Sequence, residues 1–190
     1  LGEHAPWLDG RRSAGAQAEQ VKHNLQLAQD SEASRELQPL ILAALQRDAL
    51  FASAALPRRI LPPLFNRYAA PGQHYGAHID SAILPMPGGQ RMRGDLSCTV
   101  FLSDPDSYEG GELRIQDGLG SRSIKLAAGD ALLYEASTVH EVRPVTRGVR
   151  LAAFFWIESL VRDSTQRRLL FDLDMNLLKL RARHGESAET

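Results

Sequence analysis

The chain has one cysteine, Cys98, in 190 residues, so no intrachain disulfide can form and a reducing compartment, the cytoplasm, is the natural setting. It has no apolar run approaching the roughly 20 residues a membrane-spanning helix needs. Leu1 to Gly10 holds charges and no apolar core, which argues against a secretory signal, although the chain opens on Leu1 rather than Met. Neither sign of charge is in excess: 22 basic and 23 acidic residues leave a net charge of -1, and nothing in that balance favours nucleic acid or an anionic membrane as a partner. The helical zinc signature His-Glu-x-x-His is missing, and so is any internal repeat. What remains is an ordinary soluble composition, 43% hydrophobic, long enough for one domain spanning 1–190.

The first 30 residues are polar and irregular, with a short strand expected around Val21 to Leu27. From Ser34 the spacing of Leu37, Leu40, Ile41, Ala44 and Leu45 predicts a helix with one apolar stripe, packed on the back of a sheet. Ser31 or Ser34 would cap it, Pro39 would sit in its first turn so that the regular part begins near Gln38, and it would end near Asp48. Strands are expected near 64–69, 75–80, 95–103, 111–116, 122–126, 131–136, 139–146 and 149–158. Turn chemistry separates them at Asp104-Pro105-Asp106, Ala128-Gly129-Asp130 and Arg147-Gly148. That many strands without helical crossovers predict a mainly β fold, a double-stranded β-helix or jelly roll with core about 60–158. Ser81 to Arg93 reads as a loop, either a cover over the site or passive surface. Arg162 to about Arg183 reads as a helix with a Leu170, Leu173, Leu177, Leu180 seam, which would cover the sheet or meet its copy in a homodimer. Arg162, Arg167 and Arg168 read as a solvated face.

The chemistry gathers at His78-Ile79-Asp80. On one strand, residues i and i+2 share a face, so this imidazole and carboxylate can meet one metal ion. His140, after the turn Ala136-Ser137-Thr138, is the third candidate ligand. Two histidines and one carboxylate with an open face are the ligands of non-haem Fe(II) oxygenases. Zinc accepts the same set, so Fe(II) is favoured only on balance. His74 competes, but on the strand it would stand about 13 Å from the pair. His4, His23 and His184 read as solvated. Arg150 lies in the apolar run Val149 to Ile157, and a buried guanidinium needs a partner. Either a protein acid or a carboxylate-bearing co-substrate would serve.

These residues carry a resemblance. Tyr68-x6-Tyr75-x2-His78-x-Asp80, Gly110-Gly111-Glu112-Leu113, Ala128 to Leu133 and His140-Glu141-Val142 followed by Arg150 resemble prolyl-4-hydroxylase-type Fe(II)/2-oxoglutarate dioxygenases. Pro62 to Tyr68 and Gln166 to Phe171 are similar to a narrower bacterial group, the PKHD-type hydroxylases, which is linked to iron uptake. Relative to that group the chain is expected to lack an N-terminal helix and some C-terminal residues.

The resemblance implies Fe(II) on His78, Asp80 and His140. It implies 2-oxoglutarate with its distal carboxylate on Arg150 and contacted by Tyr68, and L-ascorbate as reductant. It further implies O2 as oxidant and hydroxylation of an organic or peptidyl substrate that kinship of fold does not identify. A second tyrosine used by relatives falls on Phe101, and Tyr75 is expected to line the metal pocket. A non-catalytic module that senses iron or 2-oxoglutarate would use the same ligands.

Overall fold

The structure, a computed structural model, describes residues 2–118 and 120–185. The N-terminal arm carries β1 (Trp7–Asp9), a one-turn helix α1 (Ala16–Glu19), β2 (Lys22–His23) and β3 (Leu25–Leu27). Helices α2 (Glu32–Arg47) and α3 (Ala49–Ala55) follow, then β4 (Pro57–Ile60), β5 (Leu64–Ala69) and β6 (His74–His78). A small hairpin, β7 (Ile83–Pro85) and β8 (Arg91–Arg93), leads into β9 (Leu96–Phe101). The remaining strands are β10 (Glu109–Gly110), β11 (Leu113–Asp117), β12 (Gly120–Ile124), β13 (Ala131–Glu135), β14 (Val139–Val142), β15 (Val145–Arg147) and β16 (Val149–Ser159), and helix α4 (Ser164–His184) follows them.

Among the described residues the strands pair antiparallel throughout. The larger sheet runs β1-β3-β5-β16-β9-β13, with β4 also on β16, and the smaller runs β12-β11-β14-β6-β2. Tyr68 and Phe101 of the first sheet share a buried cluster with Leu113, Ile115 and Val142 of the second, so the two sheets face one another. This is the expected jelly roll.

The period of two along a strand divides β16 and β9 between two environments. Ala153, Phe155 and Ile157 join Leu96, Cys98 and Val100 in a core that Leu45 and Ala55, from α2 and α3, complete. Their neighbours Arg150, Ala152, Ser97 and Thr99 line the cavity between the sheets. Each fully buried large apolar side chain in the helix-facing core contributes about 1.5–3 kcal/mol.

Several boundaries differ from the sequence reading. Helix α2 begins at Glu32, where the Ser31 hydroxyl accepts from the Ser34 N–H at 3.2 Å. Pro39 therefore lies inside the helix rather than in its first turn. The lost hydrogen bond costs about 3 kcal/mol, and packing of Leu37, Ile41 and Leu45 against the sheet offsets it. Asp48 ends α2 as expected, but its carboxylate also accepts from the Phe51 N–H at 2.9 Å and so starts α3, which the sequence reading lacked. The predicted strand 139–146 is two strands, interrupted at Arg143-Pro144, because proline has no N–H to give the ladder. Ser81 to Arg93 is not a plain loop but contains the β7–β8 hairpin.

Arg167 is not solvated. It is 3% exposed and donates to both Glu135 oxygens at 2.7 Å, and it also reaches the Val161 carbonyl. Helix α4 packs beside α3, with Ser53 donating to Asp174 at 2.5 Å, and its Leu170, Leu173, Leu177 and Leu180 seam is exposed.

Candidate metal centre

Strand β6 ends at His78, so Asp80 sits just past the strand rather than on it. His78 and Asp80 do lie together, with Nε2 3.9 Å from Oδ1, but not as two residues of one strand. A backbone bond from the Asp80 N–H to the Ala136 carbonyl, 3.1 Å, holds the carboxylate in place instead. Ser97 of the facing sheet donates to Asp80 Oδ2 at 2.5 Å, so this residue is held by both its backbone and its carboxylate. His140 on β14 is the direct register partner of His78, which brings the distant imidazole alongside.

The three side chains converge. Their candidate ligand atoms all lie within 4.8 Å of one another. His78 Nε2 is 3.9 Å from Asp80 Oδ1, and His140 Nε2 is 3.6 Å from Asp80 Oδ2. Each histidine places Nδ1 against the carbonyl two residues back, Gly76 at 2.8 Å and Thr138 at 3.0 Å. A carbonyl only accepts, so each Nδ1 carries the proton and each Nε2 lone pair is free for a metal. Burial, and then the neighbouring His140, lower the pKa of His78 to about 4, which keeps it neutral. Neutral imidazole is the ligating form. Tyr75 stacks on His78 with ring centres 3.6 Å apart, and Tyr134 meets His140 edge-on at 5.0 Å. The donor set fits a divalent ion, and all three residues line one cavity.

That cavity, about 870 Å³, is also lined by Arg150. Arg150 is 1% exposed, and its Nε and Nη2 have no hydrogen-bond partner among the described residues. No protein carboxylate of the described residues lies within 4.0 Å of it. Its neighbours are rings: the guanidinium carbon is 5.4 Å from the centre of Tyr68 and 5.3 Å from that of Phe101. Tyr68 is its cross-strand partner and accepts a hydrogen bond from Asn66 Nδ2 at 3.3 Å. Aromatic faces attract a cation but do not satisfy its N–H groups. The arrangement fits a planar anion such as a carboxylate.

Two residues with no place in the sequence reading belong to this region. Tyr108 is 1% exposed, with a hydroxyl that has no hydrogen-bond partner among the described residues; burial raises its phenol pKa, and the neighbouring Arg150 opposes part of that rise. It sits in turn chemistry, where periodicity carries no signal. Gly111 (φ 67) leaves room for both: a Cβ there would stand 3.1 Å from the Arg150 side chain and 3.1 Å from the Tyr108 ring. Ser97 could have been found, since alternation in Leu96 to Phe101 turns it to the face opposite the core.

The other histidines stay apart from the centre. His74 bonds the Gly72 carbonyl at 2.8 Å and lies 4.8 Å, ring to ring, from exposed His23, while His4 is exposed. The reading of His184 as solvated falls on a side chain outside the described residues.

Fold and site together define the class: a jelly roll with two histidines, one carboxylate and a buried arginine in one cavity. Residues 63–158 match the 2OG-Fe(II) oxygenase superfamily, and residues 164–190 match the PKHD-type hydroxylase C-terminal domain. A PKHD-type hydroxylase of Polaromonas sp. is 60% identical over 98% of this chain and 82% of its own length. One from Verminephrobacter eiseniae is 56% identical over 98% and 83%. Among solved structures, a Trichoplax adhaerens prolyl hydroxylase in complex with a hypoxia inducible factor peptide covers 86% of this chain and 74% of its own, at TM-score 0.55 and 18% identity, which speaks to the fold alone. The chain belongs to the PKHD-type hydroxylases, a family of 2-oxoglutarate-dependent Fe(II) dioxygenases. No described helix is long and apolar enough to cross a membrane.

Proposed function

We propose that His78, Asp80 and His140 hold Fe(II) and that Arg150 receives the distal carboxylate of 2-oxoglutarate, so that the chain hydroxylates an organic or peptidyl substrate. The observation that carries this reading is the buried, acid-free guanidinium of Arg150 opening on the same cavity as the three convergent ligand atoms. Bound iron, with 2-oxoglutarate and O2, supplies the oxidising power for a C–H bond and leaves succinate and CO2. The chain's own part is positioning. Gly76 and Thr138 fix the histidine tautomers, Ser97 orients Asp80, and Tyr68 and Phe101 keep water from Arg150. Tyr68 lines the co-substrate site, and Tyr75 lines the metal pocket by stacking on His78.

The same reading takes 1–190 as one catalytic domain, working in the cytoplasm, with ascorbate restoring oxidised iron and iron homeostasis as the setting. The exposed leucine seam of α4 is the surface for a homodimer. The test is succinate formation that requires Fe(II), 2-oxoglutarate and O2. Iron-loaded protein that binds 2-oxoglutarate yet never decarboxylates it, even with ascorbate present, is a sensing module rather than an enzyme.

A further inference from the structure

Lys22 is a second buried cation on the cavity, and the reaction as described leaves it without a task. It is 2% exposed and lines the same space as the metal ligands. Strand β2 pairs with β6 so that Lys22 stands opposite Tyr75, the ring stacked on His78. Its ammonium lies 4.9 Å from the centre of Tyr75 and 5.6 Å from that of Phe154. It donates one hydrogen bond, to Ser13 Oγ at 2.9 Å, and Ser13 is held in turn 2.5 Å from Gln26 Oε1. An ammonium has three donors, so two remain in a wall made of aromatic rings. Among the described residues no carboxylate lies within 4.0 Å. Burial lowers its pKa to about 8, with Asp80 the strongest of the opposing charges, so it remains mostly protonated at pH 7.

Charge balance, which rests on the reading under Proposed function, sharpens the question. Iron(II) and Arg150 are cancelled by Asp80 and a doubly charged 2-oxoglutarate. Lys22 is then the one buried charge of the described lining left uncompensated; Arg12, the other cation of that lining, is exposed to solvent. A desolvated ammonium is costly until an anion joins it. We propose that Lys22 recognises the primary substrate through a carboxylate, so that the substrates of this chain are acids whose reactive C–H lies on the side of the carboxylate that faces the metal. Ser13 and Gln26 act as positioning residues for the ammonium.

The experiment uses the Fe(II)- and 2-oxoglutarate-loaded protein without O2, titrated by calorimetry with paired probes. One pair is N-acetylglycine and N-acetylglycinamide. The other is an end-capped tripeptide with a central aspartate and its asparagine counterpart. At least one acid should bind about 10-fold or more tightly than its amide, the gain expected from a charge-assisted hydrogen bond. Preference in the first pair means a free small acid, and in the second an acidic side chain on a peptide. In Lys22→Met that ratio should fall to about 1 while iron content and 2-oxoglutarate affinity hold, and Lys22→Arg should keep part of it.

Lys22 is one of three lysines, so 13C-lysine spectra of the Zn(II)-loaded parent give an independent reading that needs no variant to fold. The acid, but not the amide, should move one lysine Cε signal, assigned as Lys22. Equal affinity for acid and amide, binding of neither at millimolar concentration, an acid preference that survives Lys22→Met, or an unmoved signal each overturns the proposal. Failure of the underlying reading looks different: the protein would not retain 2-oxoglutarate before any probe is added.

Discussion

The two faces of β16 are built from one apolar-looking run and do opposite things. Toward the helices stand Ala153, Phe155 and Ile157, each at most 1% exposed among apolar neighbours. Toward the facing sheet stand Arg150, Ala152 and Phe154, which surround space rather than fill it. The first face stabilises the protein and asks nothing of a ligand. The second holds a buried charge whose Nε and Nη2 have no hydrogen-bond partner among the described residues. A packed core and a binding cavity thus differ by one residue of register along a single strand.

The sharpest way to break the contrast lies across the cavity, at the metal. His140→Ala should abolish iron retention and turnover together, measured as metal content after anaerobic desalting and as succinate formed. Retained iron would remove residue 140 from the centre. On the core face, Phe155→Ala should cost about 3–5 kcal/mol in denaturant unfolding, the range for truncating a buried aromatic. The folded fraction should bind iron and 2-oxoglutarate as the parent does.

On the cavity face, Arg150→Met should do the reverse. The 2-oxoglutarate requirement should rise about 100-fold, from the loss of two charge-assisted hydrogen bonds. Unfolding free energy without co-substrate should stay level or increase, because an unpaired buried charge has gone. If Arg150→Met destabilises like Phe155→Ala and leaves 2-oxoglutarate binding alone, the two faces are the same kind of surface.

The smallest effect concerns pH. His78 has a folded pKa of about 4 against an ordinary value near 6.5. Between those values the unfolded chain binds the proton and the folded chain does not, so stability rises with pH across that window. Metal-free protein should therefore lose on the order of 2 kcal/mol as pH falls from about 6.5 to 4. Equilibrium unfolding of the parent and of His78→Gln would measure it, and the variant should have the flatter profile.

Much of this was legible because each piece leaves a local mark. His78-Ile79-Asp80 and His140 flank runs of strand residues, and Arg150 is a charge where charges are rare. The strand Leu64–Ala69, just past Pro62 and Pro63, has the limits the sequence predicts. Readings failed where a distant partner overruled a local preference. Pro39 is carried inside α2 by packing, and Arg167 is buried because Glu135 reaches it. Tyr108 and Lys22 left no mark at all, since an isolated phenol in a turn and an isolated lysine in a polar arm look like surface.

The chain alone determined which chemistry is available: two imidazoles, a carboxylate and a guanidinium, spaced so that strands could carry them. It determined this because ligand type and side-chain period are local properties. Only the tertiary structure decided that His140 stands beside His78, that Asp80 is held by Ser97 of the facing sheet, and that Lys22 closes the wall of the same cavity. Those are matters of strand register and sheet closure, which arise from pairings between residues far apart in the chain and are written in no single stretch of it.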